Sequence, residues 1–357
     1  MVHHPAEMKK ISVVGAGALG TLVGGLIQHA QPAIETVLFG RGPHLRAMQQ
    51  RGSAELRGPW GVYQVKVNAT EDVGQIAGSD LILFTVKSQD TKAAAALVAD
   101  VCGEAVIVSL QNGINQRELL RYFSPARLVV GMTTTNMTSL EPGIVEFHRN
   151  GVSVLGPAAS EVSSETIAFA QRALSSSSLR FTTDLSILGA QYNKLLFNTM
   201  GYASVLSASD FIREGLLHRG WRRNVAIPLL DEGMRVLERA GIKLHKVPGG
   251  SDVLRLRKVM GMLNLPGLDF FSKMAIGLFN PPRIVFSVYQ DLHRQRPTEI
   301  DYVNGEIVRL ATDCGIDAPF NREVVRAIRE LEAGGGKRFF AAHEVIERFA
   351  NLAGGPR

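Results

Sequence analysis

The stretch KISVVGAGALG, residues 10–20, opens with a β-branched run and ends on glycines at 15, 17 and 20, just ahead of an apolar segment from Leu19 to Ile27. A run of that kind reads as a buried strand, the glycines as a tight turn, and the apolar segment as a helix. Each glycine has its own physical task. Gly15 permits the turn, Gly17 lets a pyrophosphate approach the free N–H groups of a helix N-terminus, and Gly20 lets helix and strand pack closely. A glycine-rich turn that binds nothing would carry the same letters; the strand before it and the helix after it favour a dinucleotide. The backbone of Gly15, Ala16, Gly17, Ala18, Leu19 and Gly20 is therefore the expected cradle for a cofactor.

Further along, ETVLFG (35–40), DLILFTVK (80–87) and AVIVSL (105–110) repeat the buried-strand pattern, with helix-compatible stretches such as TKAAAALVADV (91–101) between them. This alternation predicts right-handed crossovers and a mostly parallel sheet with ligands at its carboxyl edge. AELRGPWGVYQVKVNAT (54–70) holds two alternating runs around Gly58 and Pro59, which read as an inserted hairpin. Residues 127–156 are also strand-rich, with a break at Glu141–Gly143. After Ser175–Ser178 and a short strand in LRFTTD (179–184), long helical patterns take over, punctuated by VPGG (247–250), NPP (280–282) and GGGKR (334–338). The expected boundary between an α/β domain and a helical one lies near residue 183.

A chain of 357 residues, 45% hydrophobic and 20% charged, suits two domains with separate cores. No run approaches the roughly 18 to 20 apolar residues of a spanning helix, and MVHHPAEMKK lacks an apolar signal core, so a cytoplasmic protein without membrane partners is expected. Cys102 and Cys314 stand far apart and outside any C-x-x-C spacing, which argues against a disulfide framework or a metal site. The net charge of +6 is dispersed, with only short clusters such as RLRK at 255–258. That reads as a solvated surface rather than a nucleic-acid face, with part of the charge left to attract an anionic cofactor and substrate.

The end of the second strand discriminates between cofactors. An acid there accepts from the ribose 2′-hydroxyl, whereas Arg accommodates a 2′-phosphate. The sequence reads LFGRG, with no acid and with Arg41 in place, so NADP(H) is the expected cofactor. Lys87 closes its strand, and Gln111, Asn112 and Gly113 follow the next one; all should reach the carboxyl edge. Lys87 snorkelling to solvent and a plain Asn-Gly turn are the alternatives.

From Leu188, the residues Leu188, Tyr192, Leu195, Thr199, Ala203 and Leu206 recur at helical spacing, Thr199 being the polar exception. Gln191, Lys194, Asn198 and Tyr202 form a second stripe at steps of three, four and four. By spacing alone that stripe is either a solvated helix face or a catalytic one.

GAGALG, FTVKSQD, QNG, YNKLLFN, FSVYQD and RPTEIDYVNGEIV together resemble the ketopantoate reductase family, from Lys10 to about Pro319. TEIDYVNGEIV is the most specific of these motifs. The resemblance implies an NADP-binding Rossmann domain over 8–183 and an all-helical substrate-binding and catalytic domain over 184–357. It also implies NADPH as reductant and reduction of the 2-oxo group of ketopantoate to D-pantoate, a step toward pantothenate and coenzyme A. By position, Lys194 is implied to protonate the developing alkoxide and Asn198 to help hold substrate. Lys87 and Asn112 are implied to line the junction of cofactor and substrate, Ser287 to bind the carboxylate, and Glu299 to contact the substrate hydroxyl, with Asp291 in support of Ser287. The chain departs from the family pattern at Tyr202, where a second asparagine is common, and in PPRIVF (281–286), which lacks the polar residue expected ahead of Ser287. Two other readings stay open: a reductase of another 2-oxo acid or an imine in a pocket reshaped by Tyr202, and a non-catalytic NADPH-binding sensor. A homodimer through the helical domain is the expected assembly.

Thr298 and Asp301 have the spacing of a capping box, and Ile300, Val303, Ile307 and Leu310 form an apolar helix face. Asp301 is thus expected to be structural, and Glu299 to occupy the first helical position, where the helix dipole favours a carboxylate. Asn304 and Glu306 are expected to face away from the apolar stripe.

Overall fold

The computed structural model describes residues 8–175, 178–265, 286–336 and 338–353. The chain separates into two compact units, residues 1–191 with 247–250 and residues 192–246 with 251–357, dividing between Gln191 and Tyr192.

The first unit contains β1 (Lys10–Val14), α1 (Ala18–Ala30), β2 (Glu35–Phe39), α2 (Pro43–Arg51), β3 (Ser53–Gly58), β4 (Gly61–Lys66), β5 (Asn68–Thr70), β6 (Leu81–Phe84), α3 (Thr91–Ala99) and β7 (Val106–Ser109). It continues through α4 (Gln116–Leu119), β8 (Leu128–Thr133), β9 (Asn136–Glu141), β10 (Ile144–Arg149), β11 (Ser153–Pro157), α5 (Ser164–Leu174), β12 (Phe181–Thr183) and the start of α6 (Ile187–Val205). Eight strands form one sheet in the order β12-β11-β8-β7-β6-β1-β2-β5. Its pairs are parallel except β8 with β11. The expected hairpin exists as β3 and β4, and it joins β9 and β10 in a separate sheet ordered β4-β3-β10-β9. The strand-rich stretch after residue 127 divides between the two sheets, β8 and β11 entering the eight-stranded one and β9 and β10 the other, with the Glu141–Gly143 break as the turn between β9 and β10.

Strands buried on both faces explain the continuous apolar runs. Ile11, Val13, Leu81, Leu83, Val106 and Val108 face one core with Leu22, Val23, Leu26 and Ile27 of α1. Val14, Ile82, Phe84, Ile107 and Val130 face the other, which takes Ala94, Ala95 and Val98 from α3 and Ile187 and Ala190 from α6. Each fully buried Val, Leu, Ile or Phe among them contributes roughly 1.5–3 kcal/mol relative to exposure. The strands β2, β1 and β6 lie side by side with Phe39, Val14 and Phe84 level with one another, and Phe84 is level with Ser109. Since the chain leaves β1 toward β2 and later returns to β6 on the other side, the carboxyl end of β1 is a topological switch point.

The second unit is helical, with Tyr192–Val205 of α6 and helices Ile227–Arg239, Val253–Met262, Ser287–His293, Ile300–Asp313, Pro319–Ala333 and Ala342–Ala353 among its described residues. Buried polar groups lock it together. Arg222, fully buried, donates to the carbonyls of Leu216, Leu217 and Leu263 and to Asn264 Oδ1. Glu232 accepts from the N–H groups of Phe320 and Asn321, capping from outside a helix whose own N-cap residue makes no side-chain cap. The NPP cluster and the PPRIV portion before Phe286 lie outside the described residues.

Among the described residues no helix is long and apolar enough to cross a membrane. None of their His, Cys, Asp and Glu side chains gather in threes able to hold a metal ion. Cys102 is buried and Cys314 half-buried, both as free thiols.

Candidate active site

The Gly-rich turn shows three different environments. Gly15 has φ +109°, and a Cβ there would fall 2.4 Å from the Val86 nitrogen, so conformation and space both demand glycine. At Gly20 a Cβ would meet Gly15 O at 2.3 Å and Thr85 Oγ1 at 2.5 Å, the mark of close helix-to-strand packing. At Gly17 a Cβ would meet nothing within 4 Å. Gly17 is also the N-cap of α1, with no side-chain capping bond and no acid in the first turn. An open, uncapped helix start of this kind suits a pyrophosphate, which a side chain or carboxylate would exclude. Thr85 was not singled out from sequence, yet its hydroxyl donates to Gly15 O at 2.8 Å and clamps the turn to the end of β6.

The loops beside this turn leave the sheet at one level. Arg41 stands two residues beyond β2, with its side chain 85% exposed, and its Nη2 donates to Asp90 Oδ1 at 3.1 Å. Lys87, half-buried, precedes the Ser88–Asp90 turn beyond β6. Asn112 is half-buried beyond β7, and its carbonyl accepts from Ser88 Oγ at 2.7 Å and Asn115 Nδ2 at 2.6 Å. Gln111 is buried; its amide donates to Val86 O and Thr91 Oγ1 while its Oε1 accepts from Ser109. Gln111 thus ties two loops together. Ser88, Thr91 and Asn115 complete that network, and no sequence signal marked them.

In the helical unit, Lys194 and Asn198 are half-buried on α6 and Tyr202 is buried. Burial pulls the Lys194 ammonium down to about 8, while the charge of Glu299 pulls it back up. Tyr202 OH lies 3.3 Å from Ser287 Oγ, and burial with the charge of Glu299 raises its phenol above the ordinary range. The same side chains thus gather: Lys194 and Tyr202 each feel Glu299, and Tyr202 touches Ser287. Asp291 is buried and also acts electrostatically on Tyr202, while Ser287 is exposed. Gly201 makes room for this arrangement, because a Cβ there would meet the Phe286 ring at 2.0 Å. Phe286, packed edge-on to Phe211, seats the start of helix Ser287–His293.

Several expectations need correction. The stripe is not a solvated face: Gln191 is buried, donates to Gly131 O at 3.2 Å and accepts from Gln116, whereas Leu188 of the supposed apolar stripe is 40% exposed. Glu299 is the N-cap residue of helix Ile300–Asp313 and not its first helical residue, and it is buried. No capping box forms, because Asp301 is drawn instead to Arg329 at 2.7 Å. Thr298 accepts from Ile300 N at 3.4 Å, and its own N–H is held by Glu332. Asn304 and Glu306 turn inward. Asn304 donates to Thr199 O and Asn321 Oδ1, and Glu306 accepts from Tyr192 OH at 2.8 Å while chelated by Arg309.

A parallel-sheet unit with a glycine cradle, followed by a helical unit presenting a desolvated lysine beside a buried acid, defines a two-domain protein of the dinucleotide-dependent oxidoreductase type in its architecture. The family models agree: "Ketopantoate reductase PanE/ApbA" matches residues 11–160 and its C-terminal counterpart matches residues 186–332. The chain belongs to the ketopantoate reductase family. A 2-dehydropantoate 2-reductase of Pyrococcus horikoshii is 27% identical, over 92% of this chain and 99% of that protein. One from Archaeoglobus fulgidus is 29% identical over 92% and 99%. The crystal structure of a PanE/ApbA family ketopantoate reductase from Ralstonia eutropha superposes with a TM-score of 0.75 at 27% identity, covering 92% of this chain and 99% of that one. A D-mandelate dehydrogenase solved with NADH and anilino(oxo)acetate shares the fold, with a TM-score of 0.71 at 20% identity over 92% and 99%.

Proposed function

We propose that this protein reduces a 2-oxo acid, ketopantoate first among them, to the corresponding 2-hydroxy acid with NADPH. The observation that carries the reading is Lys194: half-buried, held down to about 8, and electrostatically coupled to Glu299. A lysine tuned toward neutrality is suited to give up a proton at physiological pH, which an ordinary surface lysine is not. The relatives named 2-dehydropantoate 2-reductase support the substrate class.

In this reading the backbone of Gly15–Gly20 holds the pyrophosphate, Arg41 meets the 2′-phosphate, and Lys87 and Asn112 line the same sheet edge. The cofactor, when bound, supplies hydride to the ketone carbon. Lys194 donates through Nζ to the carbonyl oxygen, stabilises the charge that grows there and passes a proton to it. Asn198, one turn further along α6, orients the ketone or the lysine. Ser287 takes the carboxylate, and Glu299 accepts from a substrate hydroxyl. The proposed assembly is a homodimer joined through the helical unit, which light scattering would reveal.

The test is a panel of 2-oxo acids assayed by NADPH oxidation. Turnover greatest with ketopantoate is the expected result. Tight NADPH binding without turnover of any member would point to a non-catalytic sensor. A second reading, reduction of another 2-oxo acid or an imine, draws support from one contact. Tyr202 OH engages Ser287 Oγ, so a bulky phenol stands where the family pattern often has asparagine. Under that reading the panel peaks at a substrate other than ketopantoate.

A further inference from the structure

The sequence has no acid at the end of β2, yet the fold returns one to that place. Because β2 and β6 flank β1 with their ends level, the residues beyond them converge over the start of the glycine turn. Arg41 arrives from one side and Asp90 from the other, and they meet at 3.1 Å. Both remain accessible, with side chains 85% and 44% exposed. Asp90 precedes α3 but makes no side-chain capping bond to it. Its carboxylate is engaged with Arg41 and is not spent on capping the start of that helix.

We infer that Asp90 is a specificity-determining residue that opposes Arg41, narrowing the preference for a 2′-phosphorylated dinucleotide and giving the ribose 2′-hydroxyl of the unphosphorylated one an acceptor. The inference rests on the reading that Arg41 faces the adenosine ribose. A 2′-phosphate, carrying a charge of roughly −1.5 to −2, is able to take Arg41 from Asp90, since an exposed ion pair is worth only about 0–1 kcal/mol. It then sits beside a carboxylate of like charge. A 2′-hydroxyl meets the reverse situation, because it has a hydrogen to donate and the carboxylate has lone pairs to receive it. Arg41 and Asp90 therefore pull cofactor choice in opposite directions from one spot.

Calorimetric titration of the full chain with adenosine 2′,5′-bisphosphate and with AMP isolates this end of the cofactor from catalysis. The readout is the ratio of the two affinities in wild type, Asp90→Asn, Asp90→Ala and Arg41→Ala. Both Asp90 variants are expected to raise the ratio in favour of the bisphosphate by on the order of tenfold at low ionic strength, the gain shrinking as salt screens the carboxylate. Arg41→Ala is expected to lower the ratio. If Arg41→Ala lowers it while the Asp90 variants leave it within about twofold, Asp90 does not read the ribose and the inference falls alone. Equal weakening of both ligands in the Asp90 variants also overturns it, since Asp90 would then only be shaping the loop. An unchanged ratio in Arg41→Ala removes the reading of Arg41 itself, and the inference with it.

Discussion

The glycine turn after β1 and the Lys194 face of α6 obtain their chemistry in different ways. The turn works through backbone: open space at Gly17, a positive φ at Gly15, a near-contact at Gly20. Those properties are fixed by which residue lacks a side chain, so they are local and written in order along the sequence. The helix face works through side chains whose ordinary behaviour would be useless. Lys194 is an unremarkable base until burial lowers it to about 8, and Glu299 matters through its charge on Lys194 and Tyr202. More than a hundred residues separate Lys194 from Glu299 in the sequence. A backbone cradle is thus specified by spacing, and the proposed proton-transfer site by what tertiary packing removes from water.

The largest effect should come from Lys194→Ala. Turnover is expected to fall by roughly two to four orders of magnitude, with NADPH affinity little changed, as rapid-mixing kinetics and equilibrium binding would show. Near-normal turnover would move the proton source to a water held by Asn198 or Tyr202, and the contrast between the two regions would lose its chemical half.

Next in size is the reading of the substrate hydroxyl. Glu299→Ala should lower kcat/KM for ketopantoate about ten- to a hundredfold more than for 2-oxoisovalerate, which has no hydroxyl to offer. A common factor for both substrates would make Glu299 a group that orders the site. A wild type that already prefers the analogue would overturn ketopantoate as the substrate.

Within the glycine turn the contrast is between fold and ligand. Gly15→Ala should cost roughly 2 kcal/mol or more in urea unfolding, because it combines a disfavoured φ with a backbone collision. Gly17→Ala should leave stability within about 1 kcal/mol while weakening the cofactor. Equal stability losses would mean that Gly17 is not the open position of the cradle.

The smallest expected effect is a displacement of the pH profile. With the protonated Lys194 as the proposed donor, kcat/KM for reduction should be flat on the acid side and fall as pH rises through about 8. Glu299 favours the charged lysine, so Glu299→Gln should move that break to lower pH. A break that stays put would separate the two groups electrostatically.

These differences also explain what the sequence made legible. The mostly parallel sheet, the β3–β4 hairpin and the turn and packing glycines Gly15 and Gly20 follow from alternation, turn residues and spacing, all of which are local. The stripe Gln191, Lys194, Asn198, Tyr202 was visible as a pattern, but its burial was not, since periodicity alone does not say which of two faces meets protein. Thr298 and Asp301 had the spacing of a capping box, yet Arg329, one helix further on, captured Asp301. Asn304 and Glu306, expected only to face away from the apolar stripe, are buried with Asn321 and Tyr192 as partners. Asp90 sat in a loop with nothing to connect it to Arg41 except a strand order that only the folded sheet reveals. Each of these misses is a polar side chain whose partner is distant in sequence.

The helix α6 starts in one compact unit and finishes in the other. Its first residues are integral to the sheet: Ile187 and Ala190 fill the core beneath β6 and β7, and Gln191 holds the Gly131 carbonyl. A polypeptide cut at residue 183 would uncover that apolar face, while one cut at 191 would end inside a helix and strip its last carbonyls of their partners. The smallest piece that could be exchanged between members of this family is therefore not the sheet domain alone. A chimaera that joins two relatives has to take α6 whole from one parent and accept that parent's Lys194 together with its sheet.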